Sequence, residues 1–195
     1  MFGHASTIRL SSVPTAKCLT PAQERLDGWW PQCVRNLANA RAAGYRKVGV
    51  YMWPQRALPP LPQATALLSN LRNANAKFDS VMLDIEGDNW LNYSDASNQA
   101  FVLALVSAFA DANVPVAVYS GWQFVDIFGT NFTALNHLPL IYPHYDNTPS
   151  YIDISDNLYG GWLAPAGKQF FDGAASEQVC GSGALDWDWS QKPWW

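Results

Sequence analysis

The sequence predicts an α/β fold, most simply an incomplete (β/α)8-type, TIM-like barrel. Short apolar segments rich in β-branched residues alternate with segments of helical periodicity, the pattern of parallel strands joined by crossover helices. About seven strand candidates can be counted, close to the eight of a complete barrel. No glycine-rich phosphate loop is visible, which disfavours a doubly wound nucleotide-binding sheet.

Length and composition limit the possible classes of protein. A chain of 195 residues that is 49% hydrophobic can fill one core, so we expect a single domain over residues 1–195. The net charge is −4 and the twelve Lys and Arg residues are scattered, which argues against nucleic acid or an anionic membrane as a partner. No apolar run reaches the roughly 20 residues of a membrane-spanning helix.

Three segments carry apolar residues at the three- and four-residue spacing of an amphipathic helix. The first ends at Gly44, where a left-handed residue commonly closes a helix, and the third begins after Ser94, a good N-cap. The three apolar stripes are Val34, Leu37, Ala40 and Ala43, then Ala64, Leu67, Leu68 and Leu71, and finally Phe101, Leu105, Ala108 and Phe109.

The strand candidates are short, apolar and rich in β-branched and aromatic residues. Proline or polar residues lie at the ends of several of them, as expected where the hydrogen bonds between neighbouring strands stop. In order they are STIRL (6–10), RKVGVYMW (46–53), SVMLDIE (80–86), PVAVYS (115–120), LPLIYPHY (138–145), GKQFF (167–171) and ALDWDW (184–189).

The segment VMLDIEGDNW, residues 81–90, places two carboxylates at the end of an apolar strand candidate. Side chains alternate along a strand, so Asp84 and Glu86 are predicted to share one side while Ile85 points to the other. In a barrel the pair would lie at the C-terminal end of its strand, where active sites form. Gly87 would let the chain turn away sharply from that edge.

Two neighbouring carboxylates repel each other when both are ionised, so one tends to keep its proton near neutral pH. Glycoside hydrolysis needs a proton donor for the leaving oxygen and an anion that stabilises the oxocarbenium-like transition state. We therefore predict glycosidase chemistry, in which desolvation and repulsion by Asp84 make Glu86 hold its proton more tightly. The alternatives are two surface acids or a Mg²⁺ site. The apolar lead-in, the glycine and nearby Trp90 favour catalysis.

Aromatic and acidic residues also end other strand candidates. A tyrosine there is more often a core residue than a ligand contact, and His144 is predicted to be a structural hydrogen-bonding residue. No Ser/His/Asp order, zinc-ligand spacing or P-loop is visible, so we expect no cofactor and no metal. The ten tryptophans suit a groove that stacks on sugar rings. The strand-end residues are Tyr51, Tyr119, Tyr142, Tyr145, Asp186 and Asp188.

Three cysteines leave an odd one under any pairing. A bond between Cys18 and Cys33 would leave Cys180 without a partner, and three free thiols in a reducing compartment are equally compatible with the count. Sequons at Asn92 and Asn131 favour secretion.

Six segments in the same order resemble glycoside hydrolase family 25, the barrel-fold lysozymes, and in particular its eukaryotic branch. They cover most of the chain from about residue 36 to residue 189, and the ordered set is more specific than any one segment. The segments are NLANARAAGYRKVGVYMWP, VMLDIEG, VAVYSGWQF, LPLIYPHYDN, GGWLAPAGKQF and VCGSGALDWDW.

The resemblance implies hydrolysis of the β-1,4 bond after N-acetylmuramic acid in bacterial peptidoglycan. Glu86 matches the general acid and Asp84 its partner carboxylate, and the remaining matched positions imply a saccharide groove. The resemblance also implies a protein that is secreted or lysosomal/vacuolar and degrades bacterial cell walls. We expect a monomer. The groove positions are Tyr51, Trp90 and Tyr119, and Asp186 matches the acidic residue on the family's final strand. We predict that Tyr145 and Asp186 also bind the substrate.

One part of the family pattern has no counterpart in this sequence. Family members begin with a strand that carries another active-site aspartate, whereas here STIRL resembles their second strand. The predicted barrel is therefore incomplete at its N-terminus, and a non-catalytic or impaired glycan-binding fragment is an alternative function. A second alternative is a chitinase-like barrel glycosidase, because FDSVMLDIE resembles that signature except for Met82.

Overall fold

The computed structural model describes residues 15–17, 29–154, 158–171 and 186–191. Seven strands form one sheet in chain order, with β1 to β6 parallel and β7 antiparallel to β6. Among these strands β1 and β7 are the two edges. The strands are β1 Thr15–Lys17, β2 Gly49–Met52, β3 Ser80–Asp84, β4 Val116–Tyr119, β5 Leu140–Pro143, β6 Gly167–Phe171 and β7 Trp187–Trp189.

Four helices connect the strands in the described part of the chain; the first three lie where the sequence predicts helices, and the short fourth one was not predicted. Helix α1 (Trp29–Ala42) leads to β2, α2 (Pro60–Asn73) to β3, α3 (Asp95–Asp111) to β4 and α4 (Gln123–Phe128) to β5. None of the helices in the described part of the chain is long and apolar enough to cross a membrane.

The helix ends confirm the predicted signals. Gly44 has a φ of +91°, and the N–H of Tyr45 donates to the carbonyl of Ala40 at 3.1 Å, which closes α1 with a left-handed residue. Ser94 caps α3, because its hydroxyl oxygen accepts from the backbone N–H of Ser97 at 3.4 Å.

The sheet separates two apolar regions. The face that the helices cover carries the main core, in which Val81, Leu83 and Ile85 are fully buried. Each such side chain contributes roughly 1.5–3 kcal/mol on burial. The opposite face, called here the inner face, carries a smaller cluster: Tyr51, Met82, Ala117, Tyr119 and Ile141.

The structure confirms an α/β fold with barrel-like strand order, but not eight-fold closure. The direction of β7 differs from the parallel pairing that the alternating pattern predicts. A strand of only three residues carries no sequence signal of its direction. The direction depends on the end of the sheet at which the chain enters the strand. The predicted strand at residues 6–10 lies outside the described residues.

Candidate active site

Strand β3 sends alternate residues to its two sides. Ile85 is fully buried in the helix-side core, as the alternation predicts. Asp84 pairs in register with Tyr119, so its side chain belongs to the inner face, and it is only 9% exposed. Glu86 lies just beyond the strand and is exposed. Burial therefore affects Asp84, whereas Glu86 is open to solvent, so the desolvation predicted for Glu86 is not found.

The turn after Glu86 is fixed from two sides. Gly87 has a φ of +87°, a left-handed conformation that favours glycine. Its N–H donates to Oε1 of Gln123 at 2.8 Å, and the indole N–H of Trp53 donates to the carbonyl of Glu86 at 3.3 Å. A Cβ at position 87 would lie 3.3 Å from the Trp53 ring. The backbone that carries Glu86 is thus held at both its carbonyl and the next amide.

Three acidic side chains act on Tyr51. Burial raises the pKa of Tyr51, and the charges of Asp84, Asp186 and Glu86 raise it further. Burial also raises the pKa of Tyr119, helped by its hydrogen bond with Tyr145 and by the charges of Glu86 and Asp84. The ends of β2, β3 and β4 and the start of β7 therefore meet at one end of the inner face.

A hydrogen-bonded group of side chains lies beside the carboxylates. The hydroxyls of Tyr119 and Tyr145 donate to Oε1 of Gln169 at 2.7 and 2.9 Å, and the two hydroxyl oxygens are 3.3 Å apart. Tyr145 is 49% exposed, whereas Gln169 is buried. Gln169 was not predicted, because nothing near it in the sequence distinguishes it from any polar strand residue.

Asp186 reaches this end of the sheet because β7 is antiparallel. Asp188 pairs with Gln169 and Trp187 with Phe171, so Asp186 lies beyond the last residue of β6. Asp186 therefore precedes its strand rather than ending it, contrary to the prediction. Burial raises the pKa of Asp188 to about 7, and the charge of Asp186 adds to this effect.

The prediction that Trp90 lines a saccharide groove is wrong for this structure. Trp90 is fully buried, with its ring edge-on to Phe101 and Phe128 at centroid distances of 5.6 and 5.7 Å. The guanidinium of Arg56 lies 5.6 Å from its centroid. After Gly87 the chain turns toward the helices, so proximity in sequence to Glu86 does not bring the indole to the inner face.

A second acidic group, the Lys168 cluster, consists of Lys168, Asp146, Asp153, His144 and Tyr142. Lys168 is fully buried, and its ammonium donates to Asp146 at 2.7 Å and to Asp153 at 3.0 Å. Tyr142 donates to Asp153 at 2.9 Å, and Nδ1 of His144 contacts the other oxygen of Asp153. These contacts agree with a structural role for His144. Potential metal-ligand atoms of His144, Asp146 and Asp153 lie within 4.8 Å of one another, but Lys168 already supplies a positive charge there.

Comparison with known proteins identifies the family. A family model described as Lysozyme-like protein 1 matches residues 16–170. "Probable GH family 25 lysozyme 4" of Dictyostelium discoideum is 35% identical over 82% of this chain and 72% of its own. The chain belongs to glycoside hydrolase family 25. "Lysozyme-like protein 5" of Caenorhabditis elegans is 34% identical over 71% of this chain and 65% of its own.

A solved structure from the same family supports the fold. GHIP, described as a glycosyl hydrolase 25 and virulence factor of Streptococcus pneumoniae that participates in host cell invasion, superposes with a TM-score of 0.54. The match covers 86% of this chain and 66% of the streptococcal chain at 15% identity. Membership of family 25 makes this a lysozyme-type glycoside hydrolase fold, and it does not favour the chitinase-like alternative.

Proposed function

We propose that this protein hydrolyses the β-1,4 bond between N-acetylmuramic acid and N-acetylglucosamine in bacterial peptidoglycan. The main support is the meeting of Asp84 and Glu86 with Tyr51 and Tyr119 at one end of the inner face, in a chain of this family. Asp186, which also acts on Tyr51, is the third acidic residue of the proposed site.

In this proposal, Glu86 is the general acid. Its exposed carboxyl can reach the glycosidic oxygen and transfer a proton to it as the bond to the anomeric carbon breaks. Asp84, buried beneath it, supplies the negative charge that stabilises the developing oxocarbenium ion. Attack through the acetamido group of the substrate and direct attack by water both use these two residues.

Tyr51, Tyr119 and Tyr145 are proposed to bind the saccharide. Burial keeps the hydroxyls of Tyr51 and Tyr119 protonated, so they remain hydrogen-bond donors over the working pH range. Tyr145 presents about half of its surface to solvent beside them. Aromatic rings with one polar end suit sugars, which combine apolar ring faces with hydroxyl edges.

We also propose that the protein works in a secretory or lysosomal compartment. Cys33 is disulfide-bonded, and the other two cysteines lie outside the described residues. Disulfides persist mainly in oxidising compartments. Asn92 and Asn131, the two sequon asparagines, are both exposed, as glycan attachment requires.

The test is the substitution Glu86→Gln, which keeps the shape of the side chain and removes its proton-donating carboxyl. We expect the rate of clearing of a peptidoglycan suspension to fall about 10²–10⁴-fold, the usual contribution of a general acid. Asp111→Asn, which removes an exposed carboxylate at the end of α3, is the control and should keep full activity.

Both variants should first match the wild type in melting temperature and circular dichroism. Wild-type clearing by folded Glu86→Gln would overturn the assignment of the general acid. A wild-type chain that sediments with peptidoglycan but never releases reducing ends would instead establish the non-catalytic glycan-binding alternative.

A further inference from the structure

Trp122 exposes an indole at the proposed catalytic end of the sheet. It is 61% exposed, the highest value among the tryptophans whose side chains the structure describes. It follows the end of β4 and precedes α4, so it lies at the same end of the parallel strands as Asp84 and Glu86. An indole left in water forgoes much of the stabilisation that its burial would supply, so folding does not account for this placement.

The ring of Trp122 is supported from behind. It packs on Tyr159 with a centroid distance of 5.3 Å and an interplanar angle of 58°. Tyr159 is buried, and its hydroxyl donates to the carbonyl of Ser120. The hydroxyl of Ser120 in turn donates to the carbonyl of Ile85 at 2.8 Å. The indole is thus braced on one face by residues that also contact the catalytic strand.

The next residue connects this support directly to the turn that carries Glu86. Gln123 accepts a hydrogen bond from the N–H of Gly87 at 2.8 Å. Gly87 immediately follows Glu86, so the start of α4 and the proposed general acid are held in a fixed relation. A ligand that lies against Trp122 would therefore be positioned relative to Glu86.

The exposed area of Trp122 suits contact with a single sugar ring rather than with another protein. A tryptophan buries roughly 150–250 Å² when fully covered, so 61% exposure leaves on the order of 100–150 Å². A stable protein interface needs about 800 Å² from each partner. The apolar face of one pyranose ring fits the smaller area.

We propose that Trp122 is a stacking platform for a hexosamine ring of the glycan strand, at a position outside the bond that is cleaved. This inference rests on the proposed function for the identity of the glycan. It does not depend on turnover, because stacking requires neither carboxylate. The platform adds affinity for long strands and leaves the chemical step unchanged.

Binding is measured by sedimentation with insoluble peptidoglycan, using the full chain with Glu86→Gln to prevent degradation. Adding Trp122→Ala should weaken binding about tenfold, which corresponds to about 1.4 kcal/mol of lost stacking free energy. Trp122→Phe keeps a ring and should recover most of the affinity. The control is Leu163→Ala, which removes a 98% exposed apolar side chain from the segment that enters β6 at the opposite end of the sheet.

Kinetics of the otherwise unmodified chain give an independent measurement. Trp122→Ala should raise KM for polymeric peptidoglycan about tenfold with kcat nearly unchanged, and the effect should shrink on oligosaccharides too short to reach the ring. Equal binding by the Trp122→Ala and Leu163→Ala variants would overturn the proposal that Trp122 stacks on a sugar ring. If the wild type binds but does not hydrolyse, the proposed hydrolase activity fails while the binding comparison still decides the role of Trp122.

Discussion

The Lys168 cluster and the acidic residues of the candidate active site are built from the same residue types but differ in charge compensation. Burial would raise the pKa of Asp153, but hydrogen bonds from His144, Lys168 and Tyr142 outweigh it and lower that pKa to about 2. In the candidate active site, burial raises the pKa of Asp188 to about 7, and the neighbouring charge of Asp186 reinforces the shift.

This difference in charge compensation separates a carboxylate with a structural role from a carboxyl group that can exchange a proton in a reaction. A carboxylate held by a buried ammonium stays ionised at every physiological pH and serves to join the chain segments around it. Asp188 has no such compensation: burial, aided by the charge of Asp186, brings its proton exchange close to neutrality, which is where perturbed groups at functional sites are found. The type of neighbouring charge therefore distinguishes the two groups.

The largest expected effect comes from Lys168→Met, which removes the buried cation and keeps a long side chain. Asp146 and Asp153 would be left without their ammonium partner. Losing one member of a buried pair costs roughly 3–5 kcal/mol, so the melting temperature should fall by roughly 6–20 °C.

Lys47→Met is the matched control, because Lys47 lies 3.9 Å from Asp79 with half of its side chain exposed. Surface pairs of this kind contribute about 0–1 kcal/mol. The melting temperatures of the two variants are compared at neutral pH. Equal decreases in melting temperature from the two substitutions would refute a structural role for the Lys168 cluster.

Gln123→Ala should mainly affect activity. It removes the acceptor for the N–H of Gly87 and loosens the turn that carries Glu86. One hydrogen bond of about 0.5–1.5 kcal/mol corresponds to a decrease in kcat of up to about tenfold, with little change in KM.

Gln99→Ala serves as the control for Gln123, because Gln99 also makes a side-chain hydrogen bond to backbone, donating to the carbonyl of Phe128 at 2.7 Å. Both variants should lose similar stability, but only the change at position 123 should lower kcat. A matching loss of activity in both would mean that Gln123 acts through stability alone.

The smallest expected effect is a pH-dependent one. The pKa of Asp188 is raised in the folded state, so this residue favours folding at low pH and loses that contribution as the pH rises through about 7. Asp188→Asn should therefore raise the melting temperature at pH 8 by a few degrees, corresponding to about 1 kcal/mol, and by less at pH 5.

Asp153→Asn should behave in the opposite way. The lowered pKa of Asp153 contributes stability above pH 4 that is lost as the pH falls toward 2. Its substitution should lower the melting temperature at neutral pH, with the difference shrinking in acid. Melting curves from pH 3 to pH 8 that show the same trend for both variants would contradict the distinction between the two groups.

Local sequence signals were sufficient to predict most of the helices and strands, and part of the candidate active site. Gly44 and Ser94 act within one helical turn, so their roles could be inferred without knowing the fold. Alternation along β3 was sufficient to predict that Ile85 enters the helix-side core and that Asp84 faces the other way.

Features that depend on distant segments were missed or wrongly predicted. Gln123 and Gln169 acquire their roles through contacts with Gly87, Tyr119 and Tyr145, which lie more than twenty residues away in sequence. The resemblance implies that Trp90 lines the saccharide groove, yet the chain turns between Glu86 and Trp90 and buries the indole.

The antiparallel direction of β7 has a consequence for how this site can be altered. The parallel strands β2, β3 and β4 reach the candidate site with their carboxyl ends, whereas Asp186 comes immediately before its strand. Asp186 is joined directly to Trp187, so its position depends on the pairing of β7 with β6. Substitutions that change this register would move the acidic group along the sheet, while Asp84 and Glu86 would keep their places at the end of β3.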